Sequence, residues 1–134
     1  MKNKLLWLFS GTSDGNHIAQ DLLSQNNRLK VFVATQYGRK VALGTLPSEV
    51  IETGRMNKSA IFERAESEAP SQVIDATHPY ALEISENLMS LCRTQKIPYI
   101  RFERPEESIA GDNIHFVNDI EQAAEMAKIG RAHV

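Results

Sequence analysis

The stretch Leu5-Leu6-Trp7-Leu8-Phe9-Ser10-Gly11-Thr12-Ser13-Asp14-Gly15 decides the fold. Its first five residues form a short, continuous apolar run, which is typical of a strand covered on both faces of a parallel sheet. A turn containing glycine follows, and from residue 14 to residue 25 the apolar side chains recur at helical spacing, at Ile18, Ala19, Leu22 and Leu23. A strand that runs through such a turn directly into a helix predicts an α/β domain.

Composition limits what the chain can be. At 134 residues and 42% hydrophobic it can bury one core, which favours one domain, or a domain plus a fragment, over two complete domains. The formal net charge of -2 provides no basic field that would favour nucleic acid or an anionic membrane. The apolar run at residues 5–9 is shorter than the ~7–15 residues of a signal-peptide core. We therefore expect a cytoplasmic protein with a small-molecule partner, in which the single cysteine, Cys92, is an inert buried thiol.

The rest of the chain continues the alternation of strands and helices. Further strands are predicted at residues 29–35, 50–53, 72–76 and 97–102, and helices at residues 57–68 and from Pro79 onward. Residues 41–46 fit either a short strand or a helical turn. This order predicts a Rossmann-like, doubly wound parallel sheet with right-handed crossovers, which binds its ligand outside the carboxyl ends of the strands.

Three segments are expected along the chain. Residues 1–105 form the nucleotide-binding domain, and residues 106–128 form a linker with the first strand and helix of a second α/β half that is cut short. Residues 129–134 resemble the translation of a sequencing adapter, so we expect a tail that is not native.

The turn after the first strand is a candidate phosphate site. Gly11 and Gly15 flank Thr12, Ser13 and Asp14 where a strand meets a helix, and there the backbone N–H groups and the helix dipole attract anions. The full G-x-G-x-x-G pattern is absent, because Ser10 and Thr12 interrupt it, so a plain tight turn is the alternative interpretation.

The end of the second strand bears on the cofactor. An acid at this place accepts a hydrogen bond from the ribose 2′-hydroxyl of NAD, whereas hydroxyl and basic residues tolerate a 2′-phosphate. Thr35, Gln36 and Arg39 occupy the region and no acid is present. The sequence therefore favours NADPH over NADH, unless Arg39 is only a solvated loop charge.

The block Asp75-Ala76-Thr77-His78-Pro79-Tyr80-Ala81 concentrates polar groups at the predicted substrate edge of the sheet. In the alternative interpretation Asp75 and Thr77 cap the following helix, while His78 and Tyr80 pack structurally. The other histidines have no partners at metal-ligand spacing, so we predict no metal site.

These motifs together resemble the precorrin-6A reductase family over about residues 4–128. The residues that carry the resemblance are the stretches 9–15 and 33–38, the Asp-Ala-Thr-His-Pro-Tyr-Ala block at 75–81, and Ile97-Pro98-Tyr99-Ile100-Arg101-Phe102-Glu103-Arg104-Pro105. Two departures concern the loop, since glycine is common in the family where Ser10 stands and arginine where Asn16 stands.

The resemblance implies an oxidoreductase of cobalamin biosynthesis. Such an enzyme uses NADPH or NADH to reduce one ring double bond of its tetrapyrrole (corrinoid) substrate. The substrate is precorrin-6A or its cobalt form, and the product is the corresponding 6B compound. It further implies that the loop Ser10, Gly11, Thr12, Ser13, Asp14 and Gly15 holds the pyrophosphate, and that Thr35 and Tyr37 lie near the adenosine ribose. Thr77, His78, Pro79 and Tyr80 then face the nicotinamide and the macrocycle, with His78 and Tyr80 as the candidate catalytic residues and His78 as the hypothetical proton donor.

Two other functions remain open at this point. A non-catalytic, regulatory nucleotide-binding domain would share the phosphate loop without needing the His-Pro-Tyr cluster. A short-chain dehydrogenase would require a Tyr-x-x-x-Lys pair, but the residue four positions after Tyr80 is Ile84.

Overall fold

The computed structural model describes residues 4–103, which form one five-stranded parallel sheet flanked by helices. The strands are β1 (Leu5–Ser10), β2 (Arg28–Val33), β3 (Ile51–Thr53), β4 (Gln72–Ala76) and β5 (Tyr99–Arg101). The helices are α1 (Ser13–Ser24), α2 (Gln36–Ala42), α3 (Lys58–Glu68) and α4 (Leu82–Gln95), and a 3₁₀ turn (Ser48–Val50) precedes β3. The strand order β3-β2-β1-β4-β5 reverses direction at β1, which confirms the doubly wound, Rossmann-like fold.

Strand β1 lies at the centre of the sheet and is covered on both faces. Leu6 and Leu8 pack into a core with the buried side of α1, whereas Trp7 and Phe9 pack into a second core with α3 and α4. Alternate side chains of a strand point to opposite faces, so a central strand covered on both sides has no polar face. The continuous apolar run in the sequence follows from this position.

Two predicted elements differ from the structure. Residues 36–42 form helix α2, which the sequence predicted only in part, as the helical-turn alternative at residues 41–46. Thr35 caps this helix by accepting a hydrogen bond from the N–H of Gly38 at 3.0 Å. Pro79 lies in a turn and not in the first turn of a helix: the N–H of Ala81 donates to the carbonyl of His78 at 2.9 Å, and α4 begins only at Leu82.

The predicted domain boundary at 105, the second half at 106–128 and the tail at 129–134 lie outside the described residues. Within residues 4–103, no helix is both long enough and apolar enough to span a bilayer.

Cys92 lies in the core between α4 and the sheet, with 1% of its surface exposed. Burial, and after it the negative charge of Asp75, raises the pKa of the Cys92 thiol to about 12. We expect iodoacetamide to alkylate the native protein about 10³-fold more slowly than the urea-unfolded chain at about pH 8, because only the thiolate reacts. Mass spectrometry of timed samples measures both rates, and equal rates would contradict the burial.

Candidate functional site

A cavity of about 850 Å³ opens at the carboxyl edge of the sheet. Its walls come from residues 9–13 at the end of β1 and in the loop after it, residues 32–35 around the end of β2, residues 54–57 after β3, and residues 77–78 and 80–84 in the loop after β4 and at the start of α4. Loops from four strands therefore meet at one place, on both sides of the point where the strand order reverses. The volume is within the range of ~300–1,000 Å³ usual for small-molecule and cofactor sites.

The loop after β1 is held by hydrogen bonds that leave it compact. Thr12 is the N-cap of α1, and its Oγ1 accepts from the N–H of Gly15 at 3.1 Å. The N–H of Gly11 and the Thr12 hydroxyl each donate to the carbonyl of Ala76 at 3.4 Å, which ties the loop to β4. Buried Ser10 donates from Oγ to Oδ1 of Asn16 at 3.0 Å. Thr12 and Ser13, at the N-terminus of α1, line the cavity, so the positive end of the helix dipole lies beside it, as an anion site requires.

Gly11 allows this loop to approach the loop after β4. A Cβ atom at residue 11 would lie 3.3 Å from the backbone N of His78 and 3.5 Å from Cα of Thr77. The first distance is tighter than ordinary van der Waals contact, and its partner is backbone that cannot rotate away. The two loops that the sequence singled out are therefore in direct contact, and glycine at this position keeps them so.

The loop after β2 contributes Thr35 and Tyr37, and 75% of Tyr37 is exposed at the cavity mouth. Arg39 does not line the cavity; its Nη1 lies 3.5 Å from Oγ1 of Thr53 at the end of β3. Arg55, in the loop after β3, does line it. Sequence reasoning missed the whole 54–57 segment, because β3 has only three residues and gave a weak pattern. The glycine at residue 54 was the sequence signal for a turn after that strand, and in the structure Gly54 adopts a φ of 129°.

Asp75 is the centre of a hydrogen-bond network beneath the cavity, and none of its surface is exposed. Its Oδ1 accepts from the N–H of Thr77 at 3.1 Å, from Oγ1 of Thr77 at 2.7 Å and from Nη1 of Arg101 at 2.9 Å. Its Oδ2 accepts from Oγ of Ser85 at 2.6 Å and from the Tyr99 hydroxyl at 2.8 Å. We call these five residues the Asp75 network. Burial, then the charge of Asp75 and the hydrogen bond to it, raises the pKa of the Tyr99 hydroxyl.

This arrangement corrects the alternative interpretation of the block at 75–81. The N-cap of α4 is Ala81, which makes no side-chain capping hydrogen bond, so neither Asp75 nor Thr77 caps the helix. His78 and Tyr80 are not packed inside the protein either, since both are exposed and both line the cavity.

His78 and Tyr80 form the outer part of the loop after β4. Nδ1 of His78 accepts from the N–H of Tyr80 at 3.2 Å, and the two rings lie 5.2 Å apart between centroids. An accepting Nδ1 carries no proton, so the neutral imidazole holds its proton on Nε2. Tyr80 is 82% exposed, which leaves a large apolar ring at the cavity mouth.

The structure therefore brings together most of the residues predicted for the site. Those that line the cavity are Ser10, Gly11, Thr12, Ser13, Thr35, Tyr37, Thr77, His78 and Tyr80. Asp14 and Gly15 belong to the first turn of α1 but are not among the lining residues. Within residues 4–103, no group of three or more His, Cys, Asp or Glu side chains is placed to hold a metal ion.

Comparisons with known proteins identify the family of this chain. Residues 5–134 match the model of the family described as Precorrin-6x reductase CbiJ/CobK. The chain is 35% identical to a cobalt-precorrin-6A reductase of Methanocaldococcus jannaschii over 124 residues, which is 92% of this chain and 49% of that protein. The chain spans about half the length of the curated relatives it matches.

Solved structures show the same fold. A structure described as CobK precorrin-6A reductase superposes with a TM-score of 0.63 at 26% identity, over 78% of this chain and 38% of that one. The Bordetella bronchiseptica enzyme WbmG in complex with NAD gives a TM-score of 0.60 at 12% identity, over 76% of this chain and 38% of that one. With the family match extending over nearly the whole sequence, the chain belongs to the precorrin-6x reductase family, CbiJ/CobK.

Proposed function

We propose that this chain provides the cofactor side of an NAD(P)H-dependent reductase that converts precorrin-6A, or cobalt-precorrin-6A, to the 6B product. The observation that carries the proposal is the direct contact between the loop after β1 and the loop after β4 at one cavity. A phosphate site and a cluster of reactive side chains are thereby within reach of a single dinucleotide. The family membership supports the choice of a corrinoid as the substrate.

The cavity residues fit a nicotinamide dinucleotide. Gly11, Thr12 and Ser13 line the cavity at the N-terminus of α1, where N–H groups attract anions, so they would hold the pyrophosphate, with Ser10, Asp14 and Gly15 shaping the turn. Thr35 and Tyr37 would contact the adenosine ribose. The bound nicotinamide would supply the hydride. NAD in the WbmG structure is consistent with such a ligand on this fold.

NADPH is the cofactor that we propose over NADH. The segment after β2 contains hydroxyl, amide and phenol side chains and no carboxylate that could accept from a ribose 2′-hydroxyl. Arg55 lines the cavity next to this segment and would offer a positive charge to a 2′-phosphate. Arg39, which the sequence suggested for this contact, does not line the cavity and lies against Thr53 instead.

His78 is the residue that we propose as the proton donor, with Tyr80 beside it against the macrocycle. Reduction of a double bond requires a proton at the carbon next to the one that accepts the hydride. His78 would donate as the imidazolium, which gives one ring proton to that carbon and returns to the neutral imidazole. The neutral ring that results is the form in which Nδ1 accepts from the Tyr80 N–H. Tyr80 provides a flat, exposed ring of the kind that stacks on a conjugated macrocycle.

Anaerobic incubation with precorrin-6A and NADPH or NADH, followed by the nicotinamide absorbance, tests the proposal. We expect cofactor oxidation that depends on the corrinoid, and a loss of about 10²-fold or more in turnover for His78→Ala at saturating cofactor. His17→Ala is the matched control, because His17 is an exposed residue of α1 that does not line the cavity. Cofactor binding without oxidation would instead favour a non-catalytic regulatory domain, and unchanged turnover in His78→Ala would rule out that donor.

A further inference from the structure

We infer that Asp75 is a positioning residue, which holds the loop after β4 against the phosphate loop and thereby sets where the nicotinamide half of the cofactor can bind. The inference rests on the proposed function and adds a residue that touches neither substrate nor cofactor. Asp75 has none of its surface exposed and is absent from the cavity wall, so its influence on a ligand must pass through another residue.

The hydrogen bonds of Asp75 show which residue that is. Thr77 donates twice to the same carboxylate oxygen, from its backbone N–H at 3.1 Å and from its hydroxyl at 2.7 Å. The hydroxyl also accepts from Nη1 of Arg101 at 3.1 Å. A threonine hydroxyl has a single proton, and here that proton is committed to Asp75. Thr77 is therefore anchored by main chain and side chain together, and it is the first residue of the loop.

The anchored loop lies directly against the phosphate loop. The backbone N of His78 and Cα of Thr77 are the atoms that a Cβ at Gly11 would meet, at 3.3 and 3.5 Å. Any outward movement of Thr77 changes the width between these two loops. A displacement of this kind would affect the end of the cavity next to β4 and leave the end next to β2 as it is.

The charge of Asp75 is satisfied from two elements outside the loop, β5 and α4. Arg101 comes from β5 and pairs with it at 2.9 Å, while Ser85 from α4 and Tyr99 from β5 donate to the other oxygen. A fully buried carboxylate is costly to desolvate unless it is paired and hydrogen-bonded. Ser85, Tyr99 and Arg101 hold the carboxylate in place without any contribution from the loop. The carboxylate in turn holds the loop through its two hydrogen bonds from Thr77.

Binding of two ligands by the 134-residue chain tests the inference. Thr77→Val removes the hydroxyl at nearly constant volume, and we expect it to weaken NADPH binding about tenfold, which is ~1.4 kcal/mol. Adenosine 2′,5′-bisphosphate, which lacks the nicotinamide half, should bind within about twofold of the unmutated chain. Thr77→Ser keeps the hydroxyl and should restore NADPH binding. Isothermal calorimetry measures the affinities.

Tyr99→Phe is the matched control. It removes one donor from the same carboxylate, but on the oxygen that does not hold Thr77, so it should lower the melting temperature and leave NADPH affinity within about twofold. Asp75→Ala should show the same selective loss of NADPH as Thr77→Val, and combining the two changes should add nothing, since Asp75 acts through Thr77. If Asp75→Ala does not fold, the inference is still tested by comparing the NADPH affinity of Thr77→Val with the affinities of Thr77→Ser and Tyr99→Phe.

Three results would overturn the inference. They are unchanged NADPH affinity in Thr77→Val, equal losses for both ligands, and a loss in Tyr99→Phe as large as that in Thr77→Val. The last two would show that the network contributes only stability. Failure of the unmutated chain to bind NADPH would contradict the proposed function itself, and with it the inference, so the two failures are distinct.

Discussion

Replacing Trp7 by alanine is expected to lower the free energy of unfolding by about 3–5 kcal/mol. Trp7 has none of its surface exposed, and it packs edge-on against Phe32 at 5.0 Å and Phe9 at 5.9 Å between ring centroids. It lies on the central strand, so its removal leaves a cavity between the sheet and α3 and α4 that neighbouring residues cannot fill. Domains of this size are stable by only ~5–15 kcal/mol, so the variant loses a large share of its stability.

Urea unfolding followed by far-UV circular dichroism measures this loss. Fluorescence is unsuitable, because Trp7 is the only tryptophan of the chain. Trp7→Phe is the control: it keeps an aromatic ring in the core and removes the hydrogen bond from Nε1 to Oε1 of Glu68, which is 3.0 Å long. We expect the control to cost about 1–2 kcal/mol. Equal losses in the two variants would mean that the hydrogen bond, and not the ring packing, carries the effect.

The position of Trp7 also explains which parts of the fold could be predicted from the sequence. A strand covered on both faces is apolar over most of its length, so residues 5–9 were recognisable without any partner, and residues 72–76 were recognisable from Val73, Ile74 and Ala76. Helix α1 was recognisable from a different pattern: one side of it is buried and the other exposed, so its apolar residues recur at helical spacing. From these elements the doubly wound parallel sheet was predicted, and so was the edge on which the ligand-binding loops lie.

Elements whose stability depends on a few local contacts were not predictable in this way. Helix α2 has only Ala42 buried, so no apolar stripe marks it, and its start depends on one capping hydrogen bond from Thr35. The turn at Pro79 depends on a backbone hydrogen bond between His78 and Ala81, which residue types do not reveal. In each case the deciding interaction involves one or two atoms and leaves no periodic pattern.

The site shows the same division. The loops after β1, β2 and β4 were predicted because each follows a strand and each contains residues with evident chemistry. The role of Asp75 was not, since three of its five donor hydrogens come from residues 10 to 26 positions away on α4 and β5, and only the fold brings Ser85, Tyr99 and Arg101 to it. The wall at 54–57 was missed because β3 is too short to give a pattern.

Gly15→Ala, in the phosphate loop, is the second substitution for which we expect a large effect. A change to alanine within a helix ordinarily stabilises by up to ~1 kcal/mol. Here we expect the opposite, a loss of about 1–3 kcal/mol and NADPH binding weakened about tenfold. A Cβ at residue 15 would overlap Oγ of Ser10 and lie 3.1 Å from Cβ of Ser10 and 3.2 Å from Cβ of Ala76. Rotation of the Ser10 hydroxyl would relieve the overlap but break its hydrogen bond to Asn16, and the two Cβ contacts would still require the first turn of α1 to shift away from β1 and β4.

Because the overlap involves one short side chain, a second substitution can separate it from every other effect. Ser10→Gly removes both the Oγ and the Cβ that Gly15→Ala would meet, at the cost of the hydrogen bond from Ser10 to Asn16. In the double variant we expect at least about 1 kcal/mol of recovery relative to additivity, together with recovered NADPH affinity. Urea unfolding and calorimetry of the four proteins in the cycle measure both quantities.

Strict additivity would mean that α1 does not pack on β1 as closely as described. Recovery of stability without recovery of binding would mean that the first turn of α1 does not hold the cofactor, which would remove the phosphate loop from the proposed site.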